Sequence, residues 1–450
     1  MEPQQPQDEL TSIARWFTGH GEIASIEPLG NGNVNDTFLV EHGEDVPQRF
    51  VMQRINTQVF ERPEEVMHNL VQVSQHVERK LSEETNQPGE RLWEMPRVIP
   101  LHFREGHWVE AEGSFWRGIS YIGAAISVDV VSSLKQAYEV GYGLGMFHQL
   151  IADLPSEQLR DTLEGFHITP SYLADYNSVL AAASTPPSTQ ERHCHQFIAE
   201  RAEWASVLED AKAAGDLSLR PIHGDPKVNN LMMDADSGKA IALVDLDTVK
   251  PGLVHYDIGD CLRSGCNALG EETLEPEAVV FDLERCEAIL SGYLETAGQT
   301  LSEADHRYLF DAIRLIPFEL GLRFFTDHLR GNRYFKADRE GHNLDRALVQ
   351  FALTASIEEV AVIGVTQGLP RCLQVATQDG FTALEVKHYR FRRERFFTPS
   401  VATGTQAIAN VVMHQPRFNG VEIHQGNGFA GVGIQHQVVH LGIAMDRAQA

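Results

Sequence analysis

Apolar positions in the first quarter of the chain come at strand spacing and then change period. Ile23, Ile26 and Leu29, the run Thr37-Phe38-Leu39-Val40 and the run Arg49-Phe50-Val51-Met52 are separated by Gly, Asn and Asp turns. That texture predicts a hairpin followed by a third strand. Val66, Leu70, Val73 and Val77 then recur at helical spacing behind Pro63-Glu64-Glu65, and Arg79-Lys80 closes the run. Acidic residues first and basic residues last match the helix dipole. Residues 97–101, 108–110 and 114–121 read as further strands, completing a small β-rich unit over 1–122.

Beyond Gly123 the pattern turns helical. Ala137, Val140, Leu144, Phe147 and Ile151 form one stripe over about 133–153, and further helices are predicted at 189–214, 283–297, 303–329 and 344–361. One strand–loop–strand island, Leu219 to Val249, interrupts them. The second unit is therefore drawn at 123–360. An extension follows at 361–450, whose role the pattern does not give. Residues 401–450 hold only four charged side chains, Arg417, Glu422, Asp446 and Arg447, behind the basic cluster of Lys387, Arg390, Arg392, Arg393 and Arg395, read as a solvated connector.

Composition narrows the partners. The 450 residues carry a net charge of −26, with 42% hydrophobic and 22% charged residues, which excludes a wholly disordered chain. The acid excess argues against nucleic acid or an anionic membrane as the main partner. An anionic substrate would need local basic groups, backbone amides or a divalent cation. Met1 to Leu10 is polar and acidic, unlike a signal peptide, and no apolar run approaches the ~18–20 residues of a membrane span. Five cysteines are too few and too scattered for a disulfide framework, so a reduced, cytoplasmic location is expected. Neither Cys261 and Cys266, nor His193-Cys194-His195, nor the tail histidines His414, His424, His436 and His440 show metal-ligand spacing.

The island carries the chemistry. It reads Ile222-His223-Gly224-Asp225-Pro226-Lys227-Val228-Asn229-Asn230, and the apolar run that follows ends Val244-Asp245-Leu246-Asp247. One carboxylate, Asp225, is placed to orient and deprotonate a hydroxyl. An amide oxygen at Asn230 and a second carboxylate at Asp245 are hard ligands for Mg²⁺, which neutralises phosphate charge. A lone loop Asp is usually a turn former, but this spacing is far rarer and points to phosphoryl transfer.

The loop resembles that of the aminoglycoside phosphotransferase and choline kinase superfamily, bilobal relatives of the protein kinases. A closer resemblance, to N-acetylhexosamine 1-kinases, rests on Gly30-Asn31-Gly32-Asn33-Val34-Asn35-Asp36-Thr37, Gln53-Arg54-Ile55-Asn56, Pro63 to Asn69, Asp245 to Gly252, Tyr256-Asp257-Ile258-Gly259-Asp260 and Glu319 to Asp327. It implies an α+β, protein-kinase-like fold, with a small β-rich N-terminal lobe that binds nucleotide and a larger, mainly helical C-terminal lobe. ATP and Mg²⁺ are the implied cofactors and a small sugar the acceptor, with no nucleic acid or membrane partner and a monomer or homodimer. Asp225 would be the catalytic base facing the sugar hydroxyl, and Asn230 and Asp245 the Mg²⁺ ligands. His223 would fix the loop by bonding to backbone near Asp245. Asp257 and Asp260 are read as structural, with Asp260 capping the next helix or bracing the loop.

On the nucleotide side, Asn31, Gly32 and Asn33 would form the phosphate-facing turn. Arg54 would replace the strand Lys of protein kinases as phosphate anchor, with Glu65 a candidate partner for it. Tyr121, Ile122 and Gly123 would line the hinge and read the adenine edge. For the acceptor, the resemblance suggests Asn33, Asn35, Tyr121, Glu319 and Arg323 as polar partners, and implies transfer to the anomeric 1-hydroxyl of N-acetylglucosamine or N-acetylgalactosamine. The plain alternative for Glu319 and Arg323 is an i,i+4 ion pair, worth a few tenths of a kcal/mol. Kinases of other hydroxyl compounds (choline, homoserine, aminoglycosides) and a catalytically silent kinase-like module that binds nucleotide or a protein partner remain the competing readings.

Overall fold

The computed structural model describes residues 7–30, 34–43, 48–83, 91–182 and 186–367, all within one compact unit, Met1–Phe397. The first lobe contains α1 (Gln7–Thr18), β1 (Ile23–Pro28), β2 (Asp36–His42), β3 (Gln48–Ile55), α2 (Pro63–Glu83), β4 (Trp108–Ala111) and β5 (Ser114–Ser120). Its five strands form one antiparallel sheet in the order β1-β2-β3-β5-β4. The hairpin and third strand are where the alternating pattern puts them. Residues 97–101 differ: only an isolated bridge joins Val98 to Ile119, so this segment runs beside the sheet without extending it.

Side-chain alternation gives the sheet two different faces. Val40, Phe50, Met52 and Trp116 point to one side and pack with Leu10, Ile13 and Phe17 of α1. Ile55 and Phe115 point to the other, where Val66, Leu70, Val73 and Val77 of α2 continue into the core of the second lobe. The first lobe is thus closed by a helix outside and turned toward the second lobe inside. That distinction decides which side chains reach the cleft.

The second lobe begins with β6 (Ala125–Ile126) and α3 (Leu134–Ile151), then α4 (Thr169–Ala182), α5 (Thr189–Ala199) and α6 (Val207–Ala214). The island supplies β7 (Arg220–Ile222), β8 (Leu231–Asp234), β9 (Ala240–Leu243) and β10 (Lys250–Gly252). Helices α7 (Val254–Gly265), α8 (Leu283–Ala297), α9 (Glu303–Arg307), α10 (Leu309–Leu329) and α11 (His342–Gln367) complete it. The predicted stripe of α3 is buried throughout, and Ser133 caps the helix by accepting from the Gln136 N–H at 3.2 Å. Helices α3 and α8 approach closely: a Cβ on Gly141 would lie 1.7 Å from the Ile289 carbonyl oxygen.

Two predicted helices are broken. The one drawn over 189–214 is interrupted at Glu200 to Ser206. There Arg201 is buried, donates to both carboxylate oxygens of Glu358 on α11 and satisfies the Phe197 carbonyl. The one drawn over 303–329 breaks at Tyr308. Helix α11 continues to Gln367, so the boundary drawn at 360 falls inside it. Cys194, Cys261, Cys266 and Cys286 are free, buried thiols. Cys372 and the tail histidines lie outside the described residues, among which no helix is long and apolar enough to cross a membrane.

Candidate active site

Strand β7 pairs antiparallel with β10, Ile222 opposite Lys250, and delivers the chain to His223. From His223 to Asp225 every backbone polar group has a partner. Asp257, on α7, accepts the His223 N–H at 2.6 Å and the Gly224 N–H at 2.8 Å. The Thr248 hydroxyl donates to the His223 carbonyl at 2.8 Å, and His167 Nε2 donates to the Gly224 carbonyl at 2.7 Å. The Asp225 N–H donates to His223 Nδ1 at 3.2 Å, and Asn230 Nδ2 donates to the Asp225 carbonyl at 2.7 Å. A loop with all its backbone groups spoken for cannot drift without orphaning one. Gly224 holds φ +91°, and a Cβ there would stand 2.5 Å from the Thr248 carbonyl oxygen, so only glycine fits.

The braces are themselves braced. His223 donates from Nε2 to the Val244 carbonyl at 2.9 Å, next to Asp245. Asp257 is wholly buried and also takes His148 Nε2 at 2.9 Å. Burial opposes its charge, but the bond from His148 and the loop N–H groups outweigh that and hold its pKa low. His167 has an acceptor at each ring nitrogen, the Gly224 carbonyl and Glu319 Oε1 at 3.0 Å, so it is an imidazolium. Burial works against this charge too, and Glu319 overcomes it, raising the His167 pKa.

A hairpin closes the distance between Asn230 and Asp245. Leu231 on β8 pairs with Leu243 on β9, and the Val244 N–H donates to the Asn230 carbonyl at 2.9 Å. Because Asn230 spends its amide N–H on Asp225, its orientation is settled and Oδ1 remains available. Asp245 holds φ 65°, ψ 55°, a left-handed conformation rare for a residue with a side chain. Its carboxylate stays accessible to solvent, yet it lies low in a cleft crowded by protein. That desolvation, with Asp247 and Asp225 adding negative charge against the opposing Lys227, pushes its pKa up to about 6. Lys227 Nζ is 2.9 Å from Asp225 Oδ2, and that carboxylate raises the Lys227 pKa.

This donor set suits Mg²⁺, which typically takes one or two carboxylates and completes its shell with water and phosphate oxygens. Among the described residues no group of three or more His, Cys, Asp or Glu side chains forms a closed metal cage. A carboxylate and an amide oxygen beside mutually repelling acids fit a cation brought in with phosphate better than a resident ion.

Asp247 ties the lobes together. Buried under the sheet, it accepts from Asn35 Nδ2 at 2.6 Å and lies 2.5 Å from Arg117 Nη2 of β5. The other end of the Asn35 amide accepts the Asn56 N–H at 2.9 Å. Below this tie is a cavity of about 520 Å³ that reaches Thr162, whose hydroxyl donates to the Asp247 carbonyl at 3.4 Å. In its wall Arg323 is faced by the rings of Phe166, Tyr172 and Phe335, with ring centroids 5.1, 5.0 and 5.4 Å from the guanidinium carbon. Burial opposes the Arg323 charge, while Tyr172, Glu319, Tyr334 and Asp225 together keep its pKa raised.

The profile of the phosphotransferase enzyme family matches residues 25–288, more than half of the chain. The chain belongs to that family. It is a phosphotransferase of the kinase-like, α+β fold. Two solved structures resemble it in fold. One is a microcompartment-associated aminopropanol kinase, 16% identical, matched over 80% of this chain and 99% of its own with a TM-score of 0.52. The other is an aminoglycoside phosphotransferase from Alicyclobacillus acidocaldarius, 15% identical, matched over 82% of this chain and 97% of its own with a TM-score of 0.52.

Within this phosphotransferase the expected residues separate into those brought together and those that are not. Asp225 and Asn230 on the β7–β8 loop and Asp245 after β9 are brought together by the hairpin, with His223 bonded to the Val244 carbonyl beside them. Tyr121, Ile122 and Gly123 form the link from β5 to β6, between the lobes. Asn31, Gly32 and Asn33 lie outside the described residues. Arg54 is elsewhere: it lies opposite Trp116 in register, on the α1 face of the sheet, and pairs with Asp36. Glu65 pairs with Arg62, not with Arg54. Asn35 is held at both ends of its amide by protein, Nδ2 on Asp247 and Oδ1 on the Asn56 N–H, as a tie between the lobes. Glu319 neither pairs with Arg323 nor faces an acceptor, because its two oxygens hold His167 and Thr169. Asp260 pairs with Arg263 at 2.7 Å, leaving Asp257 as the brace of the loop. Arg117, His167, Asp247 and Lys227 were not anticipated. Lys227 lies within the quoted loop, whereas the other three take their roles from partners distant in sequence.

Proposed function

We propose that this phosphotransferase moves the γ-phosphoryl group of ATP in line to the anomeric 1-hydroxyl of an N-acetylhexosamine. The observation that carries the kinase reading is the convergence of Asp225 and Asn230 with Asp245, beside a loop whose backbone groups from His223 to Asp225 are all paired. Asp225, half-buried and held by its own main chain, accepts the proton of the attacking hydroxyl. Asn230 Oδ1 and Asp245 would hold the magnesium, which when bound would neutralise charge on the phosphate oxygens. Lys227 pairs with Asp225 and offers a positive charge toward the transferred group. Positioning and electrostatics of this kind account for most of the catalysis in such sites.

The acceptor assignment rests on Arg323. No carboxylate pairs with it among the described residues, whereas in the same wall Arg330 is paired with Asp175, and Arg62 with Glu164. A guanidinium flanked by three rings, with its N–H groups unspent, suits a neutral acceptor bearing carbonyl and hydroxyl oxygens, such as an N-acetyl sugar. The guanidinium itself offers no counter-charge to choline or an aminoglycoside, which would have to be met by the wall carboxylates Glu61, Glu164, Asp175 and Asp327. A coupled ADP-release assay with Mg-ATP and a panel of N-acetylglucosamine, N-acetylgalactosamine, choline, homoserine and kanamycin tests the reading. Turnover with an N-acetylhexosamine, giving a product that has lost its reducing end, supports it. Turnover confined to a cationic acceptor overturns the sugar assignment, and no ADP with any acceptor overturns the kinase.

A further inference from the structure

We propose that Arg117, on β5, is the side chain that holds the phosphate chain of the nucleotide, with Asp247 keeping its guanidinium turned toward the cleft. The proposal rests on the kinase reading above and assigns a residue that reading lacks. Thr37, Gln53 and Arg117 lie directly opposite one another on β2, β3 and β5. They form a hydrogen-bonded row across the sheet: Gln53 Nε2 donates to Thr37 Oγ1 at 3.0 Å, and Arg117 donates from Nε and Nη2 to Gln53 Oε1 at 2.9 and 2.6 Å. Alternation places this row on the face turned to the second lobe, and the contact of Arg117 with Asp247 confirms that placement. Arg54, one residue further along β3, points the other way.

Arg117 is also the one basic strand residue of the first lobe, among those described, that is buried: it is 2% exposed. Its Nη1 has no hydrogen-bond partner. Gln53 can orient a guanidinium but cannot neutralise it, and Asp247 meets it through a single nitrogen. The unspent Nη1 is buried beside Asp247, two residues along the chain from Asp245, one of the proposed magnesium ligands. That nitrogen can take a phosphate oxygen, so cation and metal would both hold the same phosphate chain. With Asn35 on the same Asp247, the row also makes the grip depend on the two lobes being closed together.

Calorimetric titration of the full chain with adenosine, Mg-ADP and Mg-ATP tests this, using the natural protein, R117Q, R117K and, as a control, R54Q. R117Q is expected to weaken ADP and ATP by about 10- to 100-fold, the loss of a charge-assisted contact, and to leave adenosine unchanged. R117K should fall between, and R54Q should match the natural protein. If R117Q fails to fold, R117K decides: an ADP affinity equal to that of the natural protein overturns the proposal, as does a phosphate-dependent loss in R54Q alone. A natural protein that binds none of the three nucleotides overturns the kinase reading and this proposal with it. Binding in the natural protein that survives in both Arg117 variants overturns this proposal alone.

Discussion

Replacing Asp257 by Asn should uncouple the catalytic loop from the helix that carries it. The carboxylate accepts from three donors, the N–H groups of His223 and Gly224 and His148 Nε2, at 2.6–2.9 Å, and no part of it meets solvent. An Asn has one acceptor oxygen. If that oxygen serves His223 and His148, the amide N–H points at the Gly224 N–H; flipped, it points at both of the others. Either way a buried donor is orphaned and charge assistance is lost from the rest. Breaking a buried ionic partner set of this kind costs about 3–5 kcal/mol, and leaving even one buried donor unpaired costs about 1–3 kcal/mol. Chemical denaturation of D257N against the natural protein reads the first effect. The displaced loop should also cost about 100-fold in kcat, since a shift near 1 Å of a positioned base is enough for that, with KM for ATP little changed. A D257N protein within about 1 kcal/mol of the natural one, turning over normally, would refute the idea that this carboxylate holds the loop.

Two further substitutions probe other parts of the frame. Gly224→Ala must either leave φ +91° or drive its Cβ into the Thr248 carbonyl; we expect a loss of at least ~2 kcal/mol and little soluble protein, and normal yield and melting would contradict the geometry. Glu319→Gln keeps an acceptor for His167 and removes the charge that sustains the imidazolium. Because the folded pKa of His167 is raised above the unfolded value of about 6.5, its contribution is full below that pH and is lost as pH rises through the folded value. The natural protein should therefore lose stability between neutral and alkaline pH, and E319Q should show a flatter melting profile there, with acceptor KM unchanged. A large rise in acceptor KM would return Glu319 to the sugar site.

What could be read in the chain and what could not divide by distance along it. The loop from His223 to Asn230 and the turn at Asp245 are short, and their residue types are tied to their chemistry, so motif spacing alone located them. The hairpin of β8 and β9 then made two separated ligands neighbours through ordinary strand pairing. Arg54 and Arg117 show the opposite case. Both are basic strand residues of one sheet, and with a period of two a single position decides which face a side chain takes. That decision is made by what α1 buries, through Phe50, Met52 and Trp116, and not by local pattern. Glu319 has Arg323 at helical spacing, but His167 and Thr169 reach it from 152 and 150 residues away and take both oxygens. The resemblance suggests Asn35 as a partner of the acceptor; its use by Asp247, 212 residues on, is not visible locally. The helix break at Arg201 has the same origin, a buried guanidinium recruited by Glu358. Partners that fold against a segment from far away override what the segment says by itself.

The most direct test of the central claim is the Asp225→Asn protein assayed for ADP release with Mg-ATP and N-acetylhexosamine, alongside its affinity for Mg-ATP. The isosteric amide retains the loop, the magnesium ligands Asn230 and Asp245, and the acceptor cavity, but has no lone proton acceptor of carboxylate strength. Turnover should fall by about 10²–10⁴-fold while nucleotide affinity stays within a few-fold of the natural protein. Turnover equal to that of the natural protein would contradict the account.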